Sequence, residues 1–297
     1  MKAFPFKKID AFVAAGSTGN PAGAVYLDSF ADITAAVMQK IARELKGFVN
    51  EVGFISRIDR ETFALKYYSA EREVDLCGHA TIAIIYDVIK NDPALLELET
   101  VSIVNNKGRL TVANRIPSED AVFLYAPQPV FPETHIERGA VAAALRLAPD
   151  SLDEQKPLLV VNAGLETLIV PVKTLDATLA VAPNQEELKQ FCIRNRIDII
   201  TIFCPETADP AHAFRTRVFA PTFGYLEDPA TGSGNAAFGY YLHRIGRRQP
   251  NGIIIEQNGL RDQPNVVKLE FGNDANGRFQ VAFGGNGVVR IAGEYLI

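Results

Sequence analysis

Two short stretches hold the residue types that proton chemistry at carbon would need. In "NEVGFI" (residues 50–55) the carboxyl of Glu51 sits among Phe48, Val49, Val52, Phe54 and Ile55. Apolar neighbours desolvate a charged carboxylate, which raises its pKa toward the range where the group both takes and returns a proton. In "VDLCGHATIAIIYDVIK" (residues 74–90), Cys77, Gly78 and His79 stand at the mouth of an apolar helix. A related turn, "EDPATGSGNAA" (residues 227–237), sets Asp228, Thr231, Gly232 and Ser233 before a second helix.

These turns belong to a long internal repeat. From Lys66 and from Arg217 the chain runs through an aromatic strand, a loop, a Gly-containing turn and a helix. On the first helix Ile82, Ile85, Tyr86 and Ile89 fall on one face, and on the second Phe238, Tyr241, Leu242 and Ile245 do. Both sets follow i, i+3, i+4, i+7 spacing, so each helix is expected to bury that face. The small residues at each start leave backbone N–H groups accessible at the positive end of the macrodipole, where a small carboxylate is stabilised. Strand-like runs surround the helices: "AGAVYL", "TFALKYY", "RLTVA", "TLIVPV", "IDIITIF" and "VVKLEF". Their alternation predicts an α+β fold.

The 297-residue chain is about twice the commonest single-domain size, which favours two domains. Pro127, Pro129 and Pro132 interrupt regular pairing, so the boundary is expected near residue 126, giving domains 1–126 and 127–297. Apolar content of 47% with 22% charged residues is ordinary for a globular protein, and no apolar run is long enough to span a bilayer. A net charge of −5 without a dense Lys/Arg run argues against nucleic acid as a partner. Three scattered cysteines make no disulfide framework, and the amino terminus lacks a secretory core, so a reducing cytoplasm is expected. No Cys/His cluster with metal spacing, Walker A sequence or dinucleotide fingerprint occurs, so no metal or organic cofactor is expected.

Four ordered motifs give this chain a resemblance to the PhzF-like family, the phenazine-biosynthesis isomerase and its relatives: "IDAFVAAGSTGNPAGAVYLD", "NEVGFI", "EVDLCGHATIA" and "EDPATGSGNAA". The resemblance implies the fold of diaminopimelate epimerase, with two similar domains, each a curled sheet around a central helix. Such a fold allows the last strand to return to the first domain. It also implies an active site in the interdomain cleft, a small carboxylated substrate and a homodimer. Carried over position by position, Glu51 matches the general acid/base, His79 a substrate-positioning histidine that assists proton handling, and Asp228 the acid paired with the Glu. A neighbouring negative charge would raise the pKa of Glu51 further. Ser233 matches a substrate-contacting serine, Gly78 and Gly232 lead the helix mouths, and Asn20 lies on the ligand-facing wall.

Cys77 raises a second possibility. Epimerases of the wider superfamily use one cysteine in each turn, whereas this chain has Cys77 in the first and Thr231 in the second. A Thr hydroxyl is a poor base, and nothing in the flanking sequence activates it. Two-base racemisation is therefore disfavoured, Cys77 reads as a small buried residue, and proton transfer falls to Glu51. A single carboxyl moving a proton along one face supports a double-bond shift. The Cys/Thr pattern also matches hydroxyproline dehydratases, which predicts a lyase, and a ligand-binding protein without chemistry is a third reading. Asn50, Val52 and Gly53 replace the hydroxyl-bearing neighbours common in the family, which limits the reading to a reaction class: an isomerase of a small carboxylated metabolite.

Overall fold

The computed structural model describes residues 2–247, 250 and 252–297. The chain divides into two compact units, the first comprising Met1–Val13, Thr18–Leu124 and Gly284–Ile297 and the second Ala14–Ser17 and Tyr125–Phe283.

In the first unit Ala3–Ala11 pairs antiparallel with Asn20–Leu27 on one side and Gly287–Leu296 on the other. Asn20–Leu27 runs parallel to Glu51–Arg57, and the intervening crossover carries the helix Ala35–Glu44, whose Thr34 side chain caps the Val37 amide. Glu51–Arg57 is antiparallel to Thr62–Ser69, which lies parallel to Thr100–Asn105, and Gly108–Asn114 extends the sheet. The sheet curls around the helix Gly78–Lys90, which packs on Ala3–Ala11, Asn20–Leu27, Glu51–Arg57 and Gly287–Leu296. The helix is consequently buried well beyond the face predicted from periodicity: Ala80, Thr81, Ala83, Ile84 and Asp87 are covered as well. At Gly53 the strand comes so close that an added Cβ would lie 2.3 Å from Ile84 Cδ1.

The second unit repeats this order. Leu159–Asn162 is antiparallel to Glu166–Pro171, which runs parallel to Ile199–Cys204. Ile199–Cys204 is antiparallel to Phe214–Phe219, itself parallel to Ile253–Gln257, and Asn265–Asn273 completes the series. The helix Gly232–Arg244 packs on four of these strands, and Phe238 and Tyr241 join Phe203 and Phe214 in a cluster of tilted rings. In each unit a two-residue strand, Glu73–Val74 or Glu227–Asp228, pairs with the long aromatic strand just ahead of the central helix. The repeat read from Lys66 and Arg217 is thus a repeat of strand pairing, and the fold is the mixed, curled-sheet α+β architecture that the resemblance implied.

Candidate active site

Glu51 is the first residue of its strand, paired with Ala22 on one side and Ser69 on the other. Phe48 is 42% exposed and does not contribute to the apolar surroundings expected of Glu51, whereas Val49, Val52, Phe54 and Ile55 are buried. The helix opposite begins at Gly78, with Cys77 as its N-cap and His79 in its first turn. That turn is pinned from below. The Thr81 hydroxyl donates to the Cys77 carbonyl at 2.7 Å, and the Tyr67 hydroxyl meets Thr81 Oγ1 at 2.6 Å.

The strand end and the helix start bring three side chains together. His79 Nε2 lies 3.4 Å from Glu51 Oε2, with the two side chains 10% and 17% exposed. Cys77 Sγ lies 3.5 Å from His79 Nδ1, and one donor atom from each of the three groups falls within 4.8 Å of the other two. Burial pushes the His79 pKa down to about 4, against the opposing effect of a hydrogen bond to the Pro21 backbone. The imidazole is therefore neutral at physiological pH. Cys77 is buried, as its sequence context predicts, but it is not an inert core residue: its sulfur faces the histidine. The absence of metal spacing in the sequence likewise conceals a cluster of three possible ligands that folding assembles.

Asp228, Gly232 and Ser233 belong to the second unit. Asp228 is buried in a two-residue strand, and its Oδ2 accepts a hydrogen bond from Thr231 Oγ1 at 2.6 Å. This carboxylate is the hydroxyl partner that the flanking sequence had not revealed. Gln257, itself fully buried, organises the turn: its Oε1 accepts from the Thr231 amide, and its Nε2 donates to Thr231 Oγ1 and to the Asp228 carbonyl. Asn235 donates to the same Gln257 oxygen at 2.6 Å and to the Thr231 carbonyl at 2.9 Å. Sequence reading missed Gln257 and Asn235; the signal available was a polar Glu256-Gln257 pair closing the otherwise apolar strand Ile253–Gln257. Neither N-cap, Cys77 or Thr231, makes a side-chain capping bond to its helix. Asn20 is fully buried at the start of its strand, and a Cβ added at nearby Gly23 would lie 3.2–3.3 Å from Val52, Phe6 and Val49. His212 is bonded to the buried Glu256 at 2.9 Å and His243 stacks on Phe279, so neither belongs to these clusters.

A family model described as phenazine biosynthesis-like protein, PhzC-PhzF, matches residues 9–293. The chain belongs to the PhzF family. "Uncharacterized isomerase YfhB" of Bacillus subtilis is 30% identical over 293 residues, covering 97% of each chain. The crystal structure of a PhzF-family phenazine biosynthesis protein from Bacillus anthracis aligns over the whole of both chains with a TM-score of 0.88 at 26% identity. A hydroxyproline epimerase from Agrobacterium vitis aligns with a TM-score of 0.61 at 14% identity over 99% of this chain and 91% of its own, a likeness of fold alone. Among the described residues no helix is long and apolar enough to cross a membrane.

Proposed function

We propose that this PhzF-family protein is an isomerase that moves a proton between two carbons of a small carboxylated metabolite, with Glu51 as the acid/base. The observation that carries this reading is the 3.4 Å approach of His79 Nε2 to Glu51 Oε2 in a largely buried setting. In the forward step Glu51 takes a proton from carbon, the C–H electron pair enters the conjugated system, and the double bond shifts. Glu51 then returns the proton to a second carbon on the same face, so atoms and charge balance without a cofactor. A neutral His79, whose one N–H is taken by the Pro21 backbone, stands beside Glu51 without placing a fixed positive charge next to the base. The substrate carboxylate is held at the first turn of the helix Gly78–Lys90, at Gly78, where the N-cap residue makes no side-chain capping bond; Gly232 and Ser233 open the corresponding helix of the second unit, whose N-cap likewise makes none. Asn20 is a further substrate contact, and Asp228 is the second catalytic carboxyl that the family motif names.

Three free cysteines, Cys77, Cys192 and Cys204, suit a reducing cytoplasm. The strand Gly287–Leu296 leaves Val289 and Ile291 40% and 46% exposed. A bulge at Arg290 sets the two on opposite faces, and Ile291, the more exposed, is an apolar side chain suited to a homodimer contact. The test of function is a panel of small carboxylic acids screened by thermal shift, followed by proton NMR of each stabilising ligand in D₂O. Deuterium incorporation with a shifted double bond supports the isomerase. Binding without exchange for every ligand refutes it in favour of a non-catalytic binding protein.

One observation favours a second reading, a dehydratase-like lyase: Cys77 Sγ shares the cluster with Glu51 and His79. Here the thiolate would remove the carbon proton, the C–H electron pair would form the new double bond as the C–O bond breaks, and the departing hydroxide would take that proton back from Cys77 to leave as water. Glu51→Gln should lower exchange by at least about 10²-fold if Glu51 is the base, with Cys77→Ser retaining most activity. The lyase reading requires the reverse order of effects and loss of water from the product.

A further inference from the structure

We infer that Glu51, Cys77 and His79 form a binding site for a soft divalent metal ion of the zinc class, and that filling it blocks the proton transfer. The blocking half rests on the function proposed above; the binding half does not.

The donor set is the first argument. Thiolate, imidazole and carboxylate are the ligand types zinc selects, and three protein ligands leave a fourth position for water or an incoming carboxylate. Hard ions such as magnesium favour all-oxygen shells and are poorly served here.

Geometry is the second. Bond lengths of about 2.0 Å to nitrogen and oxygen and about 2.3 Å to sulfur, arranged tetrahedrally, separate the donor atoms by roughly 3.3–3.6 Å. With Nε2 as the ligand nitrogen, Glu51 Oε2 is already 3.4 Å from it and Cys77 Sγ is 3.9 Å from it. The three donor atoms lie within 4.8 Å of one another, so closing the remaining gap requires a small rotation of the flexible Glu51 side chain.

The surrounding hydrogen bonds are the third. His79 also bonds to the Pro21 backbone, a contact that fixes its ring beside the other two groups. The Cys77 carbonyl is fixed by both the amide and the hydroxyl of Thr81. Cys77 and His79 share one helix start and Glu51 opens a strand, so the ligands stand on regular elements. Binding exchanges the thiol proton for the metal: an S–H bond breaks, an S–metal bond forms, and the proton passes to solvent. The ion also takes the carboxylate lone pair that would accept the substrate proton.

The test uses Co²⁺ as a spectroscopic stand-in, added to the reduced, metal-free protein without thiol reagents. One equivalent should produce the near-ultraviolet thiolate-to-cobalt charge-transfer band and the visible bands of four-coordinate cobalt, and Zn²⁺ should abolish both by displacement. Cys77→Ser should remove the charge-transfer band, while Cys192→Ser and Cys204→Ser retain it. Glu51→Gln, which keeps the thiol, should weaken Co²⁺ binding by at least about tenfold; this second variant decides the matter if Cys77→Ser fails to fold. No band at one equivalent, or a band that survives Cys77→Ser, overturns the site whatever the exchange assay shows. A genuine site whose filling with Zn²⁺ leaves substrate exchange unchanged overturns the blocking half and, with it, the role of Glu51.

Discussion

Thr231 Oγ1 gives its proton to Asp228 Oδ2 at 2.6 Å, while Gln257 Nε2 donates to the same hydroxyl at 3.1 Å. The hydroxyl is therefore used in both directions inside a buried turn. Thr231→Val preserves shape but leaves a buried carboxylate oxygen and an amide hydrogen each short of a partner. It should cost about 1–3 kcal/mol, read as a lower urea midpoint at constant slope. Thr231→Ser should recover most of that loss. Equal stability of the Val and Ser variants would show that the hydrogen bonds contribute nothing.

Asp228→Asn separates charge from architecture, because an amide oxygen still accepts from Thr231. Its urea midpoint should stay closer to wild type than that of Thr231→Val, and its D₂O exchange rate should fall by less than that of Glu51→Gln. An Asp228→Asn protein as inactive as Glu51→Gln would assign Asp228 an equal share in the proton transfer.

His79 makes a prediction about acid. Its folded pKa, about 4, lies below the ordinary value of 6.5. The unfolded chain therefore binds the proton first as pH falls, and stability drops between about pH 6.5 and pH 4, levelling off once the folded state is protonated too. A shift of that size corresponds to about 3 kcal/mol. His79→Asn should flatten this part of the pH–stability curve while leaving stability above pH 7 to be set by packing alone. A variant whose acid slope matches wild type would contradict the neutral, buried assignment.

Two glycines separate close approach from tolerance. A Cβ at Gly232 would fall 2.2 Å from two ring atoms of Phe283, a planar group that cannot yield by one torsion. A Cβ at Gly53 meets the terminal methyl of Ile84 at 2.3 Å, which a rotamer change relieves. Gly232→Ala should destabilise by about 1–3 kcal/mol and be partly rescued by Phe283→Leu, whereas Gly53→Ala should be the milder change and be rescued by Ile84→Val. Thermal melts of the four variants and the two pairs decide it.

If Ile291 is covered across a homodimer, Ile291→Glu should convert the protein to a monomer in light scattering at micromolar concentration with its melting temperature little changed. A monomeric wild type would remove this use for the strand.

The aromatic strand, turn and helix beginning at Lys66 and at Arg217 were visible in the sequence because each is local, and periodicity reports local pattern. The full burial of Gly78–Lys90 was not visible, since Ala83, Ile84 and Asp87 become interior only when a sheet assembled from distant strands closes over them. Glu51 and His79 could be named from their motifs, but their 3.4 Å separation depends on a parallel pairing across the Ala35–Glu44 crossover. Gln257 escaped notice for the same reason: it reaches Thr231 from 26 residues away, through strand pairing that no short window contains.

The strand Gly287–Leu296 pairs with Ala3–Ala11, and Arg290 bonds Asp10 across 280 residues of chain. On the ribosome the first unit, though begun first, cannot be finished until its last strand emerges, whereas nearly all of the second unit lies in the continuous run Tyr125–Phe283. The inner unit is thus free to complete before the outer one, reversing the usual amino-to-carboxyl order. Until then the helix Gly78–Lys90 lacks one of its covering strands. Nascent chains stalled short of residue 287 should therefore be cut by proteases within the first unit while the second resists, so the quality-control burden falls on the segment translated ahead of the second unit.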